Sequence, residues 1–158
     1  MEKIYKSIKS LLIGGALFVV FSILPIAAQA ASLYFSPSSG SYAVGSPITL
    51  NVYVSSADQA MNAASGVISF PSDKLEVTSL SKTGSIFTLW VQEPSFSNSV
   101  GAVNFEGIVL NPGFTGSGGK VLSITFKTKA AGNAPLTFSS GSALANDGKG
   151  TNILTGLG

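Results

Sequence analysis

The sequence predicts an all-β fold, a nine-stranded antiparallel β-sandwich with jelly-roll topology, preceded by a signal-peptide helix. Three observations carry that expectation. Apolar and polar residues alternate at a period of two in short runs, which places each set on one face of a pleated strand. Clusters of Gly, Pro, Ser and Asn separate the runs at near-regular spacing and interrupt both ladders and helices. Beyond residue 30, no apolar stripe recurs at the 3.6-residue spacing of a helix.

Residues 1–30 read as an export signal. Lys3, Lys6 and Lys9 form a positive start, Leu11 to Ala27 an apolar run, and Ala28-Gln29-Ala30 the small-residue pattern of a cleavage site after Ala30. Pro25 and the small residues at the end suit a cleaved signal better than a membrane-spanning helix. No cysteine follows the run, which excludes a lipoprotein anchor. Residues 31–158, about 128 of them, then form one domain of ordinary size.

Within that domain, Leu33 to Phe35 is a short strand stopped by Ser36-Pro37, and Ile48 to Val54 alternates cleanly. Ser55 to Ala64 reads as a loop in which Met61 plugs the core. Gly66 to Phe70 is a strand ended by Pro71, and Leu75 to Leu80 carries Leu75 and Val77 inward. Ile86 to Val91 follows Gly84. The stretch Gly101 to Lys129 is the centre of the reading: strand, glycine-rich loop (Asn111 to Gly119), strand. Val103, Phe105 and Val109 face inward in its first half. In the second, Leu122, Ile124 and Phe126 do so, with Val121, Ser123, Thr125 and Lys127 outward. The two halves are expected to pair with each other, burying Phe105 and Ile124 on facing registers. Short strands at Leu136 to Phe138 and Asn152 to Leu154 complete the set.

Composition excludes several functions. The domain balances six lysines against Asp58, Asp73, Glu76, Glu93, Glu106 and Asp147, and has no Arg. It offers no basic face to neutralise nucleic-acid phosphates, and it meets a membrane only through the signal during export. Without Cys or His, nucleophile–histidine catalysis is impossible and no disulfide staples the domain. Glu93 with Glu106 is the one acid pair a glycosidase could use, but a strand-exposed Glu and a loop Glu read as solvated acids, so no enzyme is expected. Asn146 to Gly150 offers oxygen donors beside glycines. It lacks the repeated acids of a Ca²⁺ loop and reads as an Asp-Gly turn, leaving no cofactor. Among the aromatics, Trp90 lies on a strand apolar on both faces, where it either fills the sandwich or meets a partner. Phe114 sits in the glycine-rich loop as a contact residue.

Four blocks in order resemble a cohesin domain of bacterial cellulosome scaffolds. They are Gly45 to Val54 (GSPITLNVYV), Gly66 to Leu80 (GVISFPSDKLEVTSL), Gly101 to Gly107 (GAVNFEG) and Gly119 to Gly132 (GKVLSITFKTKAAG). The resemblance implies the nine-stranded jelly roll, whose fold is shared with cellulose-binding carbohydrate modules. It also implies a dockerin-like protein partner bound on one sheet face. The hydrogen-bonding Asn-x-Asp pair of cohesins falls on Ala63 and Ser65, the first with no side-chain donor and the second with an uncharged one. The expected setting is a secreted or cell-surface assembly linked to polysaccharides. A carbohydrate-binding module or a structural spacer of a surface protein are the alternatives. The expected partner surface comprises Ala63, Ser65, Trp90, Glu106 and Phe114.

Overall fold

A computed structural model describes residues 30–158, so the expected export signal lies outside the described residues apart from Ala30. The described chain is all-β. Its strands are β1 (Ala31–Ser36), β2 (Pro47–Ser69), β3 (Leu75–Ser81), β4 (Leu89–Ser97), β5 (Ala102–Ile108), β6 (Phe114–Thr128), β7 (Thr137–Ala145) and β8 (Leu154–Leu157). Two of the expected strands, Ile48 to Val54 and Gly66 to Phe70, are the two ends of the single long strand β2, and the expected loop between them is its middle.

That long strand organises the sandwich. Its first half pairs with β1 and β6, giving a layer in the order β3-β6-β2-β1-β8, in which β1 and β8 run parallel. Its second half pairs with β5 and β7, and β4 joins β5, giving a second layer β4-β5-β2-β7. The crossing lies between Ser56 and Met61, where β2 slips register against Gly116 and Phe114. There Ala57 and Asp58 bulge into solvent and the buried Ser56 hydroxyl donates to the Gln59 carbonyl at 2.6 Å. A strand that bends from one layer into the next is a common way to make a sandwich corner.

The expected pairing within Gly101 to Lys129 is corrected by this arrangement. β5 and β6 do not pair with each other; each pairs with a different half of β2. Phe105 and Ile124 are both buried, as expected, but in opposite layers. Nor is Asn111 to Gly119 all loop, because β6 starts at Phe114 and its glycines lie beside β2. Val121, expected outside, is buried next to Leu122. The physical reason is a bulge: Val52 faces Leu122 and Tyr53 faces Lys120, so Val121 is the extra residue and two successive side chains turn inward.

The layers close on apolar faces. Phe35 stacks on Phe138 with ring centroids 4.4 Å apart, and Phe70 meets Phe126 edge-on at 5.3 Å. Leu33, Val52, Val54, Met61, Ile68, Val103, Leu122 and Ile124 are sealed from solvent, Met61 as the plug expected of it. Strand glycines serve this packing. A Cβ on Gly66 would come within 2.6 Å of the Phe105 ring, and Gly107 likewise lies under Phe87. Each glycine makes room for an aromatic ring on the neighbouring backbone, which explains two residues otherwise unfavourable in strands. The free edge of β3 is also covered: the Asn98 amide accepts from the Val77 N–H at 2.7 Å and donates to its carbonyl at 3.0 Å.

Candidate functional site

Residues directly opposite in an antiparallel ladder share a face, so the register of the second layer shows what its outer surface presents. Four rows cross the strands β4, β5, β2 and β7 there. The first is Leu89, Ile108, Ala63 and Leu144, and the second Gln92, Glu106, Ser65 and Ser142. The third is Ser95, Asn104, Val67 and Ser140, and the fourth Ser97, Ala102, Ser69 and Thr137. The face is therefore apolar along one row and mostly polar over the others, where Val67 and Ala102 are the apolar exceptions and Glu106 is the single ionisable group.

Geometry makes this face flat. Its central residues are Ser, Ala and Val, too short to stand far above the backbone, and the Ser65 and Ser142 hydroxyls bond to each other at 2.8 Å. Between them and Gln92, Asn104, Glu106 and Val67 lies a depression of about 270 Å³. At the end of the apolar row Leu89 is 54% exposed, and Leu110 beyond it is exposed too. An exposed apolar edge beside a polar face suits a contact region.

The structure brings together three of the five residues singled out from the sequence. Ala63, Ser65 and Glu106 share the outer face, with Ser65 directly opposite Glu106. Trp90 does not join them. It pairs with Gly107, itself opposite Ala64, on the inward register, where it meets Phe87 edge-on at 5.1 Å and packs against the core. Phe114, expected as an exposed loop contact, is instead half-buried in β6, with its ring over Gly119 and its side chain against the core. A glycine-rich stretch leaves space that an aromatic ring fills, so the same glycines that suggested a loop explain its burial.

The residues that reading one strand at a time missed are Leu89, Gln92, Asn104, Ile108, Ser142 and Leu144. Each belongs to a row only through its cross-strand partner, and only the β5–β2–β7 register could have found them. Of the acid pair, Glu93 forms an ion pair with Lys82 at 2.6 Å, and that lysine also lies over the Trp90 ring. Asp147 sits far along the chain in its turn. The Thr151 hydroxyl and then the Lys149 N–H donate to its carboxylate and hold its pKa below the ordinary aspartate value. Among the described residues, no group of three or more His, Cys, Asp or Glu side chains converges.

No protein-family profile matches the chain, and no curated protein sequence does. Solved structures do. The second type II cohesin module of the ScaA adaptor scaffoldin from Acetivibrio cellulolyticus superimposes with a TM-score of 0.62 at 12% identity, over 83% of this chain and 87% of that one. The cohesin of a type I cohesin–dockerin complex from Clostridium thermocellum does so at 0.61 and 16%, over 81% and 96%. A cohesin module from a family 33 glycoside hydrolase of Clostridium perfringens gives 0.59 and 10%, over 82% and 85%. The chain therefore has the cohesin fold, as its sequence blocks suggested.

Proposed function

We infer that this chain is an exported binding module that docks a dockerin-like protein on the outer face of the β4-β5-β2-β7 layer, within an extracellular or cell-surface assembly concerned with polysaccharides. The observation that carries the reading is that face: short side chains at its centre, an apolar row beside mostly polar ones, and one carboxylate, Glu106. A partner helix could lay small apolar side chains along Leu89, Ile108, Ala63 and Leu144 and set polar ones on Ser65 and Ser142. Ala63 lacks a side-chain donor and Ser65 offers a hydroxyl without charge, so the partner would carry fewer cations than one that reads an Asn-x-Asp pair. The solved cohesin from Clostridium thermocellum is itself in complex with a dockerin, which supports a partner of that kind.

The module binds and does not catalyse in this reading, since it has neither His nor Cys and Glu93 is engaged by Lys82. Direct glycan stacking is less well supported, because Trp90 and Phe114 both pack against the core. Titration against a panel of dockerins and pull-down on insoluble cellulose and chitin separate the possibilities. Saturable binding to a dockerin, with none to the polysaccharides, is expected. Binding to polysaccharide alone would reverse the reading, and binding to neither panel would leave a structural spacer.

A further inference from the structure

At the end of the sandwich where β1 stops and β2 and β7 begin, the layers part over a cavity of about 640 Å³. We propose that it is a binding site for a small uncharged amphipathic molecule, one with an apolar body and a hydroxyl or amide at one end. None of the residues that form the outer face of the β4-β5-β2-β7 layer lines it, so the proposal stands apart from docking.

The floor is the open end of the core. Phe35, Ile48 and Leu50 keep 8%, 9% and 7% of their surface accessible, whereas Leu33, Val52 and Val54 further along the same strands keep none. Apolar surface left in contact with water at the bottom of a concavity gains free energy when a ligand covers it. The volume lies inside the range of about 300–1,000 Å³ typical of small-molecule sites.

Each wall is anchored by hydrogen bonds. On one side the buried Thr128 hydroxyl donates to the Ala43 carbonyl at 2.7 Å, and the Gly45 N–H donates to the Thr128 carbonyl at 2.9 Å. These bonds tie Ala43 and Gly45, at the base of the 37–46 segment, to the end of β6. Tyr42 packs on the backbone of Gly40 in the same wall. On the other side the Lys74 ammonium donates to the Asn133 carbonyl at 2.8 Å, and the Lys129 N–H donates to the Lys74 carbonyl at 2.6 Å. A site shaped in advance avoids the ordering cost of closing on its ligand.

Chemistry narrows the ligand. No charged side chain lines the cavity, so an ion entering it would lose hydration with no partner in return. The exposed Ser39, Ser41 and Asn133 supply hydroxyl and amide groups, which suit an uncharged polar end.

N-phenyl-1-naphthylamine, an uncharged fluorophore that brightens in apolar surroundings, is the probe. Titrated into the purified protein, it is expected to bind saturably at one site per chain and to shift the amide resonances of residues 37–46 and 129–136. Ala134→Trp and Ser39→Trp each fill the cavity and should weaken binding by at least about tenfold, because a filled cavity leaves no room for a ring system. Ser65→Arg on the distant outer face should leave it unchanged. Absence of saturable binding overturns the proposal. So does unchanged affinity in the filling variants that keep the native circular dichroism, or shifts confined to the outer face. If Ala134→Trp fails to fold, Ser39→Trp, on an exposed loop, carries the test alone.

Discussion

Gly66 and Phe105 are expected to be energetically coupled, because the absence of a side chain at one makes room for the ring at the other. Phe105 is 2% exposed, and truncating it to Ala should cost about 3–5 kcal/mol in transfer and cavity free energy. Gly66→Ala alone sets a methyl group 2.6 Å from Phe105 Cζ, well inside contact distance, and should cost about 1–3 kcal/mol as overpacking. In the Phe105→Ala background the obstructing atoms are gone and the new methyl occupies part of the void. The double variant should therefore be more stable than the sum of the single losses implies, by at least about 1 kcal/mol. Urea denaturation followed by circular dichroism, with slopes compared across the four proteins, gives all the terms. Additivity within about 0.5 kcal/mol would refute the reasoning and mean that the ring does not lie over Gly66.

Other outcomes follow from the same packing. Ile124→Ala should cost about 2–5 kcal/mol and Thr125→Ala, on the outer face, well under half of that; equal losses would mean that β6 is read one residue out of register. Asn98→Ala removes both hydrogen bonds from the edge of β3, so the Val77 amide should exchange faster with solvent and stability should fall by about 1–2 kcal/mol; unchanged exchange would deny the edge its cover. Thr151→Val removes the main donor to Asp147 and should raise the carboxyl pKa toward the ordinary aspartate value in a carbon-detected titration. Since the folded-state pKa is the lower one, any stability from this group is present above the unfolded pKa and is lost as pH falls through the folded one. An unmoved titration would assign the shift elsewhere.

Period and punctuation made most of the strands legible, because Ile48 to Val54, Leu75 to Val77 and Val103 to Phe105 have one buried and one open face. Long-range pairing was not legible. Nothing local to Gly101–Lys129 tells that its halves lie in different layers; that depends on β2 passing through both. Ser55 to Ala64 looked like a loop because its side chains are small and polar, yet Ser55 pairs with β1, Ser56 with β6, and Met61 to Ala64 with β5, β6 and β7, leaving residues 57–60 as the bulge. The same limit applied to the site. Ser65 and Glu106 could be singled out one strand at a time, but that they lie opposite each other is a fact of register. Trp90 and Phe114 were picked for their chemistry; Trp90 is covered through Phe87 of a loop and Gly107 of β5, while the Phe114 ring folds over Gly119 further along its own strand.

The docking reading rests on which of the two outer faces a partner covers, and one paired affinity measurement decides that. Ser65→Arg places a long cation at the centre of the β4-β5-β2-β7 face, and Thr49→Arg places the same side chain on the outer face of the other layer, beside Thr125. With a dockerin that binds the unaltered protein, calorimetric titration should show Ser65→Arg weakened by at least about a hundredfold, the effect expected of a bulky charge desolvated at an interface centre. Thr49→Arg should bind as the unaltered protein does. Normal binding by folded Ser65→Arg with loss in Thr49→Arg would place the partner on the opposite face and contradict the site described.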